Sequence, residues 1–359
     1  MILVGPRDDH GWSEAHYEAG RYLEETIPDS RMILVDNLNP DARPEMTVAS
    51  AVAEMAEQGA DMVFITSDDF SADTRAVAAD YADTVFIHAT GDHVLRGDSP
   101  QNLGNYMPKM IFGKMIAGCA AALATGSGQI GYVGPLINDE TRRLANASYL
   151  GARYCYQEYR DQDPASLQFD VEWIGFWFHI PDVTSDPTEV ASEMVAEGAD
   201  VLISGIDTTE VLAVAAERSA AGAEVMAVPY DYEGACEQAP EVCLGTPYFN
   251  WRPGYLRLAQ EVKEGTWTPR WEWVPPNWDR LNDLEQSPLG FAHGAALTAE
   301  QSAQLDEFIA NLGDGSLELF AGPLRFQDGS TFLNSGEAAS EEAIWYMPQL
   351  LEGMEGASE

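Results

Sequence analysis

The sequence runs to 359 residues, 45% of them hydrophobic, which is too long for one ordinary domain and sufficient for two domains with full cores. Against 19 lysines and arginines stand 59 aspartates and glutamates, and the formal charge of −40 excludes nucleic acid and anionic membrane surfaces, which need basic patches to displace counterions. No uninterrupted apolar run is long enough to cross a bilayer. The acids are spread along the chain, and only Lys109, Lys114 and Lys263 supply lysine, a pattern that fits a halophilic, salt-adapted surface.

Taken in chain order, a short apolar strand, a polar loop and an amphipathic helix recur many times. Residues 2–5 lead into a helix over 13–25, 32–35 into 48–58, and 62–66 into 72–82; a strand over 85–88 follows. Because Met1 is followed at once by strand-like Ile2, Leu3 and Val4, an export or lipoprotein leader is expected to have been removed. After a helix-like stretch over 108–124 the pattern restarts. Strand 130–133 precedes a helix over 138–161, 169–174 precedes 187–197, 201–204 precedes 208–221, and 225–228 closes the series. Two doubly wound parallel α/β lobes joined by a hinge are predicted. From residue 246 onward come a helix near 254–264, a Trp/Pro-rich stretch over 267–278 and a helix over 299–312, too few pieces for a third lobe. They are read as returns of the chain, with 1–107 plus 247–280 forming lobe I and 108–246 plus 281–359 forming lobe II.

Cys236 and Cys243 bracket a short polar loop containing Pro240, a spacing that suits a local disulfide in an oxidising compartment. Cys119 and Cys155 fall in predicted helices and are left unpaired, and the four cysteines match no zinc pattern. In open parallel sheets a ligand sits beyond the carboxyl ends of the strands, so two such lobes place the expected site in the cleft between them. The loops after the strands carry Asp8, Asp9 and Trp12; Ser67, Asp68 and Phe70; Thr90 and Gly91; Asn105; Trp177 and Phe178; Asp207; Asp231; and Asn250 with Trp251. Each has a plainer role open to it. Trp12 could staple its helix entry, Trp177 and Trp251 could fill cores, Asp8 and Asp9 could cap the next helix, and Asp231 could cap a turn. The glycines of GSGQIGYVG precede their strand, so the segment fails as a phosphate cradle.

At these same loops the sequence resembles the basic membrane protein family, also called the Med or PnrA-like family, the purine-nucleoside and purine-base receptors of ABC importers. DDHGWSEAHYEAGRYLEE at 8–25 is similar to that family's first strand-loop-helix, and FITSDDFSAD, FIHATG, GNYMPKMIFGKMIAGCAAALATGSGQIGYVG, GFWFHIPDVTSDP, LGTPYFNWRPGYLRLAQEVKEGTW and LFAGPLRFQDG follow in the family's order. The resemblance implies a type I periplasmic-binding-protein fold, two lobes joined by three crossovers around the ligand. By position, Trp12 resembles the family's first-lobe aromatic and Trp177 with Phe178 its second-lobe pair, which would sandwich a flat base. Asp231 stands where the family has an acidic loop residue, and Ser67, Thr90, Asn105 and Asp207 occupy other strand-end loops. Nucleoside-binding members carry a lysine where this chain has Asn250 and Trp251, a version that goes with free bases such as adenine or hypoxanthine.

The resemblance therefore implies an extracytoplasmic, monomeric solute-binding protein, free in the periplasm or lipid-anchored, that hands a purine base or nucleoside to an ABC transporter permease, with no cofactor and no metal. Two rivals stand beside it. His10, His16 and His88 lie near strand ends with Asp8 and Asp9, so a purine-acting enzyme can be drawn, although no HExxH, GxSxG or Walker motif occurs. A sensory receptor domain for a planar heterocycle, including a flavin, shares the same expected fold. A transcriptional regulator would require a helix-turn-helix ahead of the first strand, and the acidity opposes DNA.

Overall fold

The computed structural model describes all 359 residues, Met1–Glu359. In chain order the elements are α1 (Trp12–Thr26), α2 (Val48–Glu57), β1 (Met62–Ile65), α3 (Ser71–Asp80), β2 (Val85–Ala89), β3 (Leu103–Pro108), α4 (Ile111–Ala124), β4 (Gln129–Gly134), α5 (Asp139–Glu158), β5 (Gln168–Trp173), α6 (Pro187–Glu197), β6 (Val201–Ser204), α7 (Glu210–Ala220), β7 (Met226–Val228), β8 (Gly245–Phe249), α8 (Arg252–Glu264), β9 (Trp271–Val274), β10 (Leu289–His293), α9 (Ala299–Gly313), β11 (Leu324–Arg325), β12 (Thr331–Leu333) and α10 (Glu341–Trp345). They belong to two compact units, Met1–Lys109 with Phe249–Leu289, and Met110–Tyr248 with Gly290–Glu359.

The first unit is built on a sheet in the order β1-β2-β3-β9, every pair parallel. The two expected strands at 2–5 and 32–35 run beside it as extended segments held by single parallel bridges, Ile2 to Val35 and Ile2 to Ile65. Ile2, Leu3 and Ile65 are wholly buried, because helices cover a parallel sheet on both faces and leave its strands no polar side. Leu103–Pro108, read from sequence as loop and helix entry, is a strand of this sheet, and the expected helix begins at Ile111. Its glycine, asparagine and proline hide the apolar run, yet Gly104 is needed where Trp267 packs, since an added Cβ would lie 3.0 Å from that ring. The Trp/Pro-rich stretch likewise contains β9.

The second unit repeats the architecture in the order β5-β4-β6-β7, again all parallel. Single bridges from Ala227 to Cys243 and from Asp170 to Glu355 extend it on both sides. Asn138 and Thr141 close a reciprocal capping box at the start of α5, and Asp186 caps α6 with Pro187 in its first turn.

Two disulfides cross-link this unit, Cys236–Cys243 and Cys119–Cys155. The first is the bridge expected from the loop spacing. The second corrects the expectation that Cys119 and Cys155 are unpaired, and the reason lies in two glycines. A Cβ on Gly118 would lie 1.8 Å from the Ser148 carbonyl oxygen, and one on Gly151 would lie 2.0 Å from that of Met115. Helices α4 and α5 therefore touch backbone to backbone, and the cysteine Cα atoms come to 5.2 Å, within disulfide reach.

Candidate functional site

Most residues that sequence reasoning placed after strands lie in loops or turns that follow strands, and Asn250 with Trp251 follow β8, whose only partner strand is β10; Asn105, expected in a strand-end loop, instead lies within β3, because the segment 103–108 is itself a strand. In the first unit, the Asp9 carboxylate accepts from the backbone N–H groups of Gly11, Ser13 and Glu14, each at 2.9 Å, and so caps the entry to α1. Burial pushes this carboxyl up to about 6, with those same N–H groups pulling the other way. Trp12 is buried, donates from Nε1 to the Thr66 carbonyl at 2.5 Å, and meets Phe249 and Trp251 edge-on at 5.1 and 5.3 Å. Trp251 is wholly buried between His16 and Phe249, its ring stacked on both at 4.0 and 5.0 Å. Asn250 spends its amide on the carbonyls of Leu284 and Ser287. Trp251 thus packs the start of α8 against α1, and Asn250 ties it to the segment 284–287.

Around β1, β2 and β3 the picture differs. Ser67 caps a short 3₁₀ turn that contains the half-buried Asp68. Thr90 is held at φ 67°, a left-handed conformation that β-branched residues rarely adopt, and Gly91 follows it. Asn105 is buried within β3 beside His88 of β2, its register partner. The three histidines of the enzyme reading stand among different partners. His10 pairs with Glu14 at the surface, His16 Nδ1 shares a hydrogen bond with the Tyr255 hydroxyl at 2.7 Å, and His88 bonds the Ser67 carbonyl. No group of three His, Cys, Asp or Glu side chains is placed to hold a metal ion.

In the second unit, Trp177 and Phe178 lie in the loop after β5 and are partly exposed, the large aromatic faces of this strand-end set that the fold leaves open. The Asp207 N–H donates to the Trp177 carbonyl at 2.9 Å, tying the loop after β6 to the aromatic loop. Asp231, after β7, is wholly buried at φ 74° and bridges to Tyr248.

Sequence reasoning missed the most unusual group here, Lys114. It is wholly buried, donates from Nζ to the Ser204 carbonyl at 2.6 Å, and stands 3.2 Å from the centroid of the Tyr230 ring. Burial pulls its ammonium down to about 7, opposed by the negative fields of Asp231 and Asp207. A signal existed: a lone lysine in IFGKMIAGCAAALA, a helix apolar on every side, has no route to water and must find its partners inside. This corner of the unit therefore carries the buried Lys114, two acids and the rings of Tyr230 and, at 5.4 Å, Tyr132, suited to fixing polar groups by charge and hydrogen bonding.

Comparison with known proteins bears on the family and the fold. The sequence pattern of the PnrA-like ABC transporter substrate-binding proteins matches residues 1–269. A purine-binding protein of Brucella abortus is 26% identical over 356 residues, covering 99% of this chain and 92% of its own. A Haloferax volcanii protein, named as the glucose-binding protein of an ABC transporter, is 30% identical over 267 residues, or 74% of this chain and 61% of its own. Among solved structures, an ABC transporter solute-binding protein from Aeropyrum pernix superposes with a TM-score of 0.67 at 14% identity, over 90% of this chain and 92% of that one. That likeness is one of fold, the periplasmic-binding-protein fold expected from the sequence.

Proposed function

This chain belongs to the PnrA-like family of ABC transporter substrate-binding proteins, as its strand-end segments implied, and from that premise we propose that its ligand is a purine base of the adenine or hypoxanthine type, or the corresponding nucleoside. The observation that carries the reading is the end-to-end similarity to a purine-binding protein. Trp177 and Phe178 support it, since a partly exposed aromatic pair beside the Asp207 loop suits a flat heterocycle, where offset stacking adds to burial. Substrate-binding proteins of ABC importers work outside the cytoplasm and deliver a small molecule to a permease. Two disulfides in one unit fit that oxidising setting. The protein acts as a monomer, free or lipid-anchored at the outer face of the membrane.

A hexose is the second reading, favoured by the name of the Haloferax volcanii relative. Calorimetric titration with adenine, hypoxanthine, guanine, their nucleosides and glucose separates the two. Saturable binding of a purine with a flat glucose titration is the expected result. Binding of glucose with no response to any purine would replace this reading with the hexose.

A further inference from the structure

The first unit has a cavity of about 890 Å³ at the end of its sheet opposite the loops that follow β1 and β2. Met62 and Val85, the first residues of those two strands, both line it. Every residue around it belongs to the first unit. Its volume falls among the roughly 300–1,000 Å³ of small-molecule sites, whereas voids left by packing rarely exceed a water molecule.

The lining combines soft apolar groups with negative charge. Four of the chain's twelve methionines, Met1, Met32, Met55 and Met62, lie here, so flexible thioethers that mould to ligands of varied outline are concentrated at one place. Gly20, inside α1, makes room for two of them. A Cβ there would lie 2.5 Å from Met32 Sδ and 3.5 Å from Met1 Sδ, and a glycine in a helix interior otherwise only costs stability. Three helices also end at the cavity, with Leu23 of α1, Met55 of α2 and Val262 of α8 lining it from their last turns. The carboxyl end of a helix carries partial negative charge that a basic residue in the last turn commonly answers, yet α1 and α2 have none there. Glu24, Asp29, Asp61 and Asp83 add four carboxylates to the same wall. Its two cations are turned to backbone carbonyls: Arg31 donates to that of Gln58 at 3.3 Å and Lys263 to that of Pro28 at 3.2 Å. A wall rich in sulfur, carbonyl ends and carboxylates fits an apolar body with a positive, hydrogen-donating head.

We propose that this cavity is a second binding site, for a small organic cation that carries a primary ammonium group on an apolar body. The body packs among the methionines, and the ammonium lies toward the helix ends and acids, whose oxygens accept its N–H groups. The site stands apart from the purine reading, since it uses none of the residues assigned to that ligand.

The test is calorimetric titration with 4-phenylbutylamine and with its neutral counterpart 4-phenylbutanol. Both are run at one ionic strength, so that the general pull of the −40 charge on any cation is held constant. The wild type should bind the amine saturably and at least about tenfold more tightly than the alcohol. Asp61→Asn/Asp83→Asn removes two exposed carboxylates and should weaken the amine by about fivefold, with the alcohol changing by less than about twofold. Ala259→Trp puts a large ring into the lining and should abolish binding of both, its circular dichroism spectrum serving as the check on folding. Should that variant not fold, the aspartate pair carries the test alone. No saturable amine binding by the wild type, equal binding of amine and alcohol, an amine affinity unchanged by the aspartate substitutions, or amine binding that survives in folded Ala259→Trp would each overturn the site. None of these outcomes alters the purine reading, which the titrations with purines and glucose decide.

Discussion

Removing the two disulfides separately should destabilise the second unit by clearly different amounts. The Cys119–Cys155 bridge closes a chain separation of 36 residues and the Cys236–Cys243 bridge one of 7. In the chain-entropy account, the constraint on the unfolded state is worth about 4 kcal/mol for the longer loop and about 2 kcal/mol for the shorter at 25 °C. The longer bridge also pins α4 to α5 at a crossing where the backbones touch, so its loss loosens the packing around Gly118 and Gly151. Urea unfolding of Cys119→Ala/Cys155→Ala and of Cys236→Ala/Cys243→Ala, each against the oxidised wild type, measures both terms. The first variant should show the larger fall in midpoint. Equal losses or the reverse order would refute the loop-length reasoning. Cys119 and Cys155 found free by alkylation and mass mapping in exported protein would refute the bridge itself.

Acidification from about pH 7.5 to about 5.5 should weaken the fold, because burial holds His16 and His88 below the ordinary 6.5 and the unfolded chain takes up protons that the native chain refuses. Their contribution is complete above 6.5 and is lost as pH falls below it, by up to about 1.4 kcal/mol per unit for each histidine. Asp9, pushed up to about 6, offsets part of this between its ordinary 3.8 and 6, and a rise in unfolding free energy on acidification would contradict the balance. The charge of −40 predicts a melting temperature that climbs from dilute buffer to molar salt as the screening length shrinks from about 30 Å to about 3 Å, and an unchanged temperature would count against it. Trp177→Ala should weaken purine binding by about tenfold to a hundredfold at nearly constant stability. Trp251→Ala should instead lower stability by about 3–5 kcal/mol, and the opposite pattern would exchange their roles.

Much of the α/β pattern was legible because parallel strands announce themselves as apolar runs between amphipathic helices. The strand at Val201–Ser204 and the helix at Pro187–Glu197 were read to the residue. Leu103–Pro108 was not, since a strand that pairs on both sides can carry Gly104, Asn105 and a terminal proline without an apolar signature. The Cys119–Cys155 pairing was illegible for a different reason. Two cysteines in separate helices reveal nothing until the helix crossing is known, and the crossing depends on Gly118 and Gly151, which look unremarkable in a run of small residues. At the strand ends, sequence could locate the loops and could not assign each side chain to packing or to solvent. Trp251 and Trp177 are the same residue type in equivalent positions, yet one is covered by His16 and Phe249 while the other stays partly open.

The most direct test of the purine assignment is native mass spectrometry of protein purified without any added ligand, followed by acid release and mass identification of whatever it carries. A single bound purine base or nucleoside, displaced by added adenine or hypoxanthine, is the predicted result. A co-purified hexose, or a bound species that excess purine leaves in place, would contradict it.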